Sequence, residues 1–291
     1  MSAFSFEETI SAFKAPPGTK LHILNLGVLS VDEAWLLEGA NGSSVSNPNP
    51  TNKRRDLGLF AALIEHPEDG LILYETGCAE DLDLKWGAQR VDLFPRTVYT
   101  EAHTLPAAIA ATGNSIADVR AVVIGHLHLD HAGGLEHFKS SDVPIYVHEL
   151  EFKHAAWAVA TKSDGGVYLA DYLSLDTSAG LGLNWQTFAD PHVELFRGVS
   201  FHHAPGHTPG LVAMQVNLRR DGTFIFTSDH AIVKENYHDA QPQGFLARDH
   251  VSWIRSSQML KRLQRSYRAT VVFGHDLDVV NKLWAEKRVW E

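Results

Sequence analysis

Residues 126–131 read His126-Leu127-His128-Leu129-Asp130-His131, four metal-capable side chains within six positions. Imidazole nitrogens and carboxylate oxygens suit zinc, iron, manganese or cobalt. On a loop leaving a strand, His126 and His128 can point to one metal while Asp130 and His131 reach a second. Leu127 and Leu129 between them would bury and lock the loop. The same design recurs downstream. Gly206-His207-Thr208-Pro209-Gly210 follows the strand-like Phe201–Pro205, Ile225-Phe226-Thr227-Ser228-Asp229 ends an apolar run on a carboxylate, and Val271-Val272-Phe273-Gly274-His275 ends one on an imidazole. A lone histidine is more often structural, so it is the repetition at four strand ends that carries weight. Sorted by chemistry, His126, His128 and His207 take one ion, Asp130, His131 and His275 take the other, and Asp229 bridges them. Two divalent ions ~3.5–4 Å apart lower the pKa of bound water from about 15.7 to about 7 and polarise a carbonyl oxygen. Such a site supplies a hydroxide nucleophile at neutral pH, with no Ser, Cys or Thr needed.

The elements that must position these groups are legible as punctuated apolar runs. Leu21–Leu29, Gly58–Ile64 and Gly70–Thr76 read as strands, the last two separated by the turn signal His66–Gly70, and Asn41–Asn52 as a long polar loop. Thr104–Thr112 has helical spacing, and Ser115 is placed to cap a short helix. Arg120–Gly125 is a β-branched run of the kind buried on both faces of a sheet, and it delivers the chain into the 126–131 segment. Val143–Val147, Val199–His203, Leu211–Asn217, Thr223–Thr227 and Thr270–Phe273 complete the expected strands, with a helix at Val251–Arg265. Glu149–Asp190 reads as a mostly loop-like insertion whose Trp157, Tyr168, Tyr172 and Trp185 either line an apolar substrate pocket or fill a satellite core. Strands and helices in two similar halves imply a layered α/β architecture, one domain over residues 1–291.

Bulk composition narrows the classes. A formal charge of −10 argues against a nucleic-acid surface, which needs clustered Lys and Arg. The one dense basic run, Lys53-Arg54-Arg55, reads as a solvated loop. A single cysteine, Cys78, excludes an internal disulfide and reads as a small buried residue after a strand. The first residues lack the basic and continuous apolar regions of a secretory signal, and no apolar run reaches membrane-spanning length. A cytoplasmic protein with no membrane partner is the expectation.

The set His126-x-His128-x-Asp130-His131, the later His207 within a Gly-His-Thr-Pro-Gly loop, Asp229 and the Gly274-His275-Asp276 end resembles the metallo-β-lactamase superfamily, from about Leu21 to His275. The resemblance implies a four-layer αβ/βα sandwich. It is similar above all to the dizinc hydrolase branches, and among them to quorum-quenching N-acyl homoserine lactonases. It implies two divalent ions, zinc foremost, and lets Asp130 both bind metal and pass a proton to the leaving group. Many members of these branches form homodimers. Two departures stand out. Those lactonases commonly carry a tyrosine three residues after the bridging aspartate, in contact with the substrate carbonyl oxygen; here that position is Ile232, with His230 and Tyr237 as candidates for the missing role. Where the superfamily's early strand often ends in Asp-Thr-Gly, this chain has Glu75-Thr76-Gly77, and Glu75 is expected to accept a hydrogen bond from a ligand histidine. His202 and His203 are assigned to structure or to support of the ligands.

The expected function is hydrolytic opening of a small cyclic ester or cyclic amide, the rivals being an acyl homoserine lactone and a detoxified γ-lactam such as a benzoxazolinone. The absence of the tyrosine favours the lactam. A glyoxalase II-like thioester hydrolase would use the same ligands but needs a basic C-terminal region to grip an anionic thiol, for which there are only Lys261, Arg262, Arg265, Arg268, Lys282, Lys287 and Arg288. A redox protein of the diiron type normally carries a flavin domain and more carboxylate ligands.

Overall fold

Apolar residues at every second position of one strand, facing two different cores, set the architecture. In Arg54–His66, Leu57, Leu59, Ala61 and Leu63 join one buried cluster while Phe60, Ala62 and Ile64 join another. The same split separates Leu71 and Leu73 from Ile72 and Tyr74, and Val122 from Ala121 and Val123. A sheet buried on both faces must lie between two layers.

The computed structural model describes residues 13–173, 182–246, 248–286 and 289–291. Its strands are β1 (Lys20–Asp32), β2 (Arg54–His66), β3 (Gly70–Tyr74), β4 (Arg96–Val98), β5 (Val119–Val123), β6 (Pro144–His148), β7 (Asn184–Phe188), β8 (His192–Phe196), β9 (Val199–His203), β10 (Val212–Asn217), β11 (Thr223–Phe226) and β12 (Thr270–Val272). Its α-helices are α1 (Leu82–Trp86), α2 (Ala88–Leu93), α3 (Leu105–Ala110), α4 (Glu149–Thr161), α5 (Lys234–His238), α6 (His250–Tyr267) and α7 (Leu277–Glu286). A seven-stranded mixed sheet runs β4-β1-β2-β3-β5-β6-β7, and a five-stranded one runs β12-β11-β10-β9-β8. The inner faces of both sheets share one core, in which Ile72, Tyr74 and Val123 meet Phe201, Met214 and Phe226. The outer face of the first sheet is covered by α3 and α4 through Ile109, Ala155 and Ala158, and that of the second by α6 through Leu260. The layering is the αβ/βα sandwich expected from the resemblance. No helix among the described residues is long and apolar enough to cross a membrane.

Two expectations change. The 149–190 stretch opens with α4 and ends in β7, which pairs in parallel with β6, so it supplies a β-α-β unit of the scaffold. Phe152, Ala155, Ala158 and Val159 lie at helical spacing against the core, a pattern diluted in sequence by the exposed Leu150 and Trp157. Residues 174–181 of that stretch lie outside the described residues. Arg54 and Arg55 open β2 instead of sitting in a solvated loop, and Arg55 pairs with Glu235 at 3.0 Å. Cys78 is half-buried.

Candidate metal centre

The ligand-bearing segments leave the C-terminal ends of strands in both sheets, so one rim collects all of them. β5 runs through Ile124 and Gly125 into His126; β11 runs through Thr227 and Ser228 into Asp229; β12 runs through Phe273 and Gly274 into His275; and the β9–β10 connection carries His207. Two of these approaches leave no room for a side chain. A Cβ on Gly274 would lie 2.4 Å from Asp229 Oδ1, and one on Gly125 2.4 Å from Glu75 Oε1.

The seven expected ligands converge. His126, His128 and His207 form one group and Asp130, His131 and His275 another, the candidate ligand atoms of each lying within 4.8 Å of one another. His207 Nε2 stands 3.0 Å from His128 Nδ1, and His131 Nε2 stands 3.0 Å from His275 Nε2. Asp229 lies between the groups: Oδ2 is 4.0 Å from His126 Nε2 and 3.6 Å from His207 Nε2, while Oδ1 is 3.3 Å from His131 Nε2 and 3.2 Å from His275 Nε2. One carboxylate oxygen faces each group, the geometry a bridging ligand requires. Asp130 reaches His275 Nε2 at 3.4 Å.

The free ring nitrogens show that the residues fit metal ions. His126 Nε2 is fully buried and has no hydrogen-bond partner, a state that costs free energy unless something else occupies its lone pair. The remaining nitrogens are aimed from behind by oxygen atoms: His126 Nδ1 meets Ser228 Oγ at 3.1 Å, His131 Nδ1 meets Glu75 Oε1 at 3.3 Å, His207 Nδ1 meets Gln243 Oε1 at 2.9 Å and His275 Nδ1 meets the Gly58 carbonyl at 3.0 Å. Such partners fix tautomer and ring orientation in metal sites. His128 uses Nδ1, and its ring packs edge-on against Tyr168 at 4.9 Å. Burial, with neighbouring imidazoles, holds His126 and His128 well below the usual histidine range. For His131 and His275 burial works the same way, but Asp229 and Asp130, with Glu75 beside His131, together outweigh it and raise both, and those imidazoles in turn overcome the effect of burial on Asp229 and hold it low.

Three supporting residues escaped the sequence reading. Gln243 holds His207 with its oxygen and donates its amide to the His230 carbonyl at 3.1 Å. Ser228 donates to Glu75 Oε1 at 2.8 Å, which places Glu75 where it was expected, behind His131. Glu151, on α4 and fully buried, accepts from Leu127 N at 2.9 Å and from Gly210 N at 3.1 Å, tying the 126–131 loop to the 206–210 loop. Its carboxyl is raised by burial against the pull of those amides. A lone Glu at a helix start carries no signal in sequence beyond its position.

A pocket opens over Asp130, Asp229 and His275. It is lined by Leu29, Val31, Leu36, Leu57, Phe94, Val167, Ile232 and Leu246. Ile232 therefore stands in the pocket, at the position expected to face the substrate. Neither substitute for the missing tyrosine does. His230 meets Ser257 Oγ at 2.9 Å and stacks on Trp253 at 5.8 Å, and Tyr237 donates to Gln264 Oε1 at 3.0 Å and packs on Phe273 at 5.5 Å. Both pack beneath α6, through Ser257, Trp253 and Gln264. Three of the four aromatic residues singled out in 149–190 pack with the core of the first sheet, Tyr168 and Tyr172 buried beside the ligand loop and Trp185 against Phe152 at 5.2 Å, whereas Trp157 is 55% exposed. His203 serves the fold, its Nε2 donating to the Pro209 carbonyl at 2.8 Å, and His202 Nε2 meets Gln215 Oε1 at 3.0 Å.

A sandwich with paired, buried His/Asp groups at one rim and an apolar pocket above them defines a metal-dependent hydrolase. Residues 55–275 match the metallo-beta-lactamase superfamily. The N-acyl homoserine lactonase AiiB of Agrobacterium fabrum is 31% identical over 269 residues, covering 89% of this chain and 94% of that protein. Among solved structures, an N-acyl homoserine lactone hydrolase with the product N-hexanoyl-L-homoserine bound at its catalytic metal centre superposes with a TM-score of 0.70 at 25% identity, covering 90% of this chain and 95% of that one. AidC, a dizinc quorum-quenching lactonase, superposes at 0.62 with 17% identity, covering 89% and 88%. The chain belongs to the metallo-beta-lactamase superfamily, on its lactonase-like side, and is a metallo-hydrolase.

Proposed function

We propose that this protein hydrolyses a small lactone, with His126, His128 and His207 holding one divalent ion, Asp130, His131 and His275 a second, and Asp229 both. The observation that carries the reading is the placement of Asp229, one oxygen toward each group, at the floor of an apolar pocket. Zinc is the first choice because the imidazole-rich donor set suits it and because AidC is a dizinc lactonase. Two such ions supply a nucleophile from water at neutral pH and draw charge from the carbonyl under attack. The protein's own groups do the rest. The pocket walls exclude bulk water and seat the ring over the ligand groups. Asp130 lines that pocket and is the most accessible of the seven, its side chain 18% exposed. It is placed to take the proton of the attacking water and deliver it to the ring oxygen as the acyl carbon–oxygen bond breaks, leaving a hydroxy acid.

The lactonase relatives support a cyclic ester. A γ-lactam such as a benzoxazolinone is a second reading, favoured by Ile232 in place of a hydroxyl. No Lys or Arg stands among the described residues that line the pocket, so nothing there would grip an anionic thioester. The test is a mass-spectrometric hydrolysis panel with zinc-loaded protein, offering an acyl homoserine lactone, a simple γ-lactone, a benzoxazolinone and a glutathione thioester at equal concentration. Opening of the lactones is the expected result; exclusive opening of the benzoxazolinone moves the assignment to a lactam hydrolase, and cleavage of the thioester alone overturns it.

A further inference from the structure

The pocket carries information about the part of the substrate that does not react. Among its described lining residues every polar side chain, His128, Asp130, Asp229 and His275, belongs to the ligand groups. The remainder is hydrocarbon, and it continues outward: Trp35 meets Phe94 edge-on at 5.2 Å and Phe245 at 5.7 Å, with Phe245 itself 68% exposed at the end of this aromatic run. Ile232, fully buried, lines the pocket with a hydrocarbon side chain, and its carbonyl is engaged by His275 N at 2.8 Å. The two polar residues nearest in sequence, His230 and Tyr237, are committed elsewhere to Ser257 and Gln264.

We infer that the preferred substrate is a lactone whose body, outside the ester itself, is hydrocarbon, an alkyl or benzo-fused ring without an exocyclic amide. This rests on the hydrolytic reading above. An N-acyl homoserine lactone would bring an amide N–H and C=O into a pocket where, among the described lining residues, every polar side chain belongs to the ligand groups, and a buried unpaired amide loses the bonds it made to water. An alkyl or aryl body loses nothing of that kind and gains the full burial of its apolar surface.

The test compares zinc-loaded protein on three probes: a γ-lactone bearing an n-hexyl chain, benzofuran-2-one and N-hexanoyl homoserine lactone. The hydrocarbon lactones are expected to exceed the acyl homoserine lactone in kcat/KM by roughly tenfold or more. Equal values, or a preference for the acyl homoserine lactone, overturn the inference. Ile232→Tyr, which puts a hydroxyl into the pocket, is expected to narrow that ratio by raising the acyl homoserine lactone, with circular dichroism and Tm reporting that the variant is folded; an unchanged ratio in a folded variant overturns the assignment to the pocket wall. Should no lactone open, the hydrolytic reading falls by itself, and equilibrium binding of the intact n-hexyl and N-hexanoyl lactones decides the inference: tighter binding of the former upholds it, equal or weaker binding overturns it.

Discussion

Two sets of buried histidines differ in what their nitrogens face. His66 illustrates the first: Nε2 meets the Arg197 carbonyl at 3.0 Å and Nδ1 accepts from Asp69 N at 3.1 Å, so both nitrogens are satisfied by the fold. His202 and His203 belong with it, tied to Gln215 and to the Pro209 carbonyl. At the rim, oxygens stand behind four of the five candidate ligand rings, and His128 Nε2 has no partner. Ser228, Glu75, Gln243 and the Gly58 carbonyl hold four rings from behind, and the inward nitrogens face one another or Asp229. His66 and His202 are nearly as buried as the rim histidines, so burial does not mark a metal site. What marks the rim is convergence: within each group, the candidate ligand atoms of His126, His128 and His207, and those of Asp130, His131 and His275, lie within 4.8 Å of one another, whereas His148 Nε2 and His230 Nδ1 are buried without a partner and stand outside both groups.

That contrast can be broken most severely at the bridge. Asp229→Ala removes the carboxylate shared by both groups, and metal analysis by mass spectrometry is expected to show loss of bound ions together with loss of turnover. Retention of two ions per chain would sink the bridging role. Asp130→Asn keeps the shape of the site but not the proton carrier: kcat is expected to fall roughly 10²- to 10⁴-fold, more than KM changes, at full metal occupancy. Gln243→Ala leaves His207 unsupported from behind, and metal affinity, read by chelator competition, is expected to drop about 10- to 100-fold. The same substitution at Gln215, behind His202, should leave metal affinity unchanged, which sharpens the comparison directly.

The smallest effect concerns acid stability. Burial, then the neighbouring His192, holds His202 down to about 4, while in the unfolded chain it titrates near its ordinary value of about 6.5. Below about 6.5 the unfolded state takes up a proton the native state refuses, so stability falls as pH drops from there toward about 4. His202→Gln removes that term and is expected to lose on the order of 2–4 °C less in Tm over this interval; identical acid profiles would count against it.

Much of the site was legible because metal ligands obey local rules. The 126–131 run announces itself by density, and Asp229 and His275 by their place at the ends of apolar runs. Glu75 was readable from its position after β3. Gln243 and Glu151 were not, since a glutamine in an irregular segment and a glutamate on the first turn of α4 look like any solvated residue. The substitutes offered for the missing tyrosine failed for a related reason: nearness in sequence to Asp229 says nothing about which side of the chain α6 will cover. α4 and β7 were read as loop because their apolar positions are interrupted by Leu150 and Trp157, which face outward.

The sequence by itself determined the types and order of the seven candidate ligands and the alternation that buries a sheet on both faces, since each depends on spacing within a few residues. Tertiary structure decided which oxygen stands behind each imidazole, that Asp229 lies between the two groups, and that the pocket above them is walled by hydrocarbon from β1, β2 and the segments around Phe94, Val167, Ile232 and Leu246. Those outcomes depend on contacts between residues tens to hundreds of positions apart, where packing of layers, and no local pattern, sets the distances.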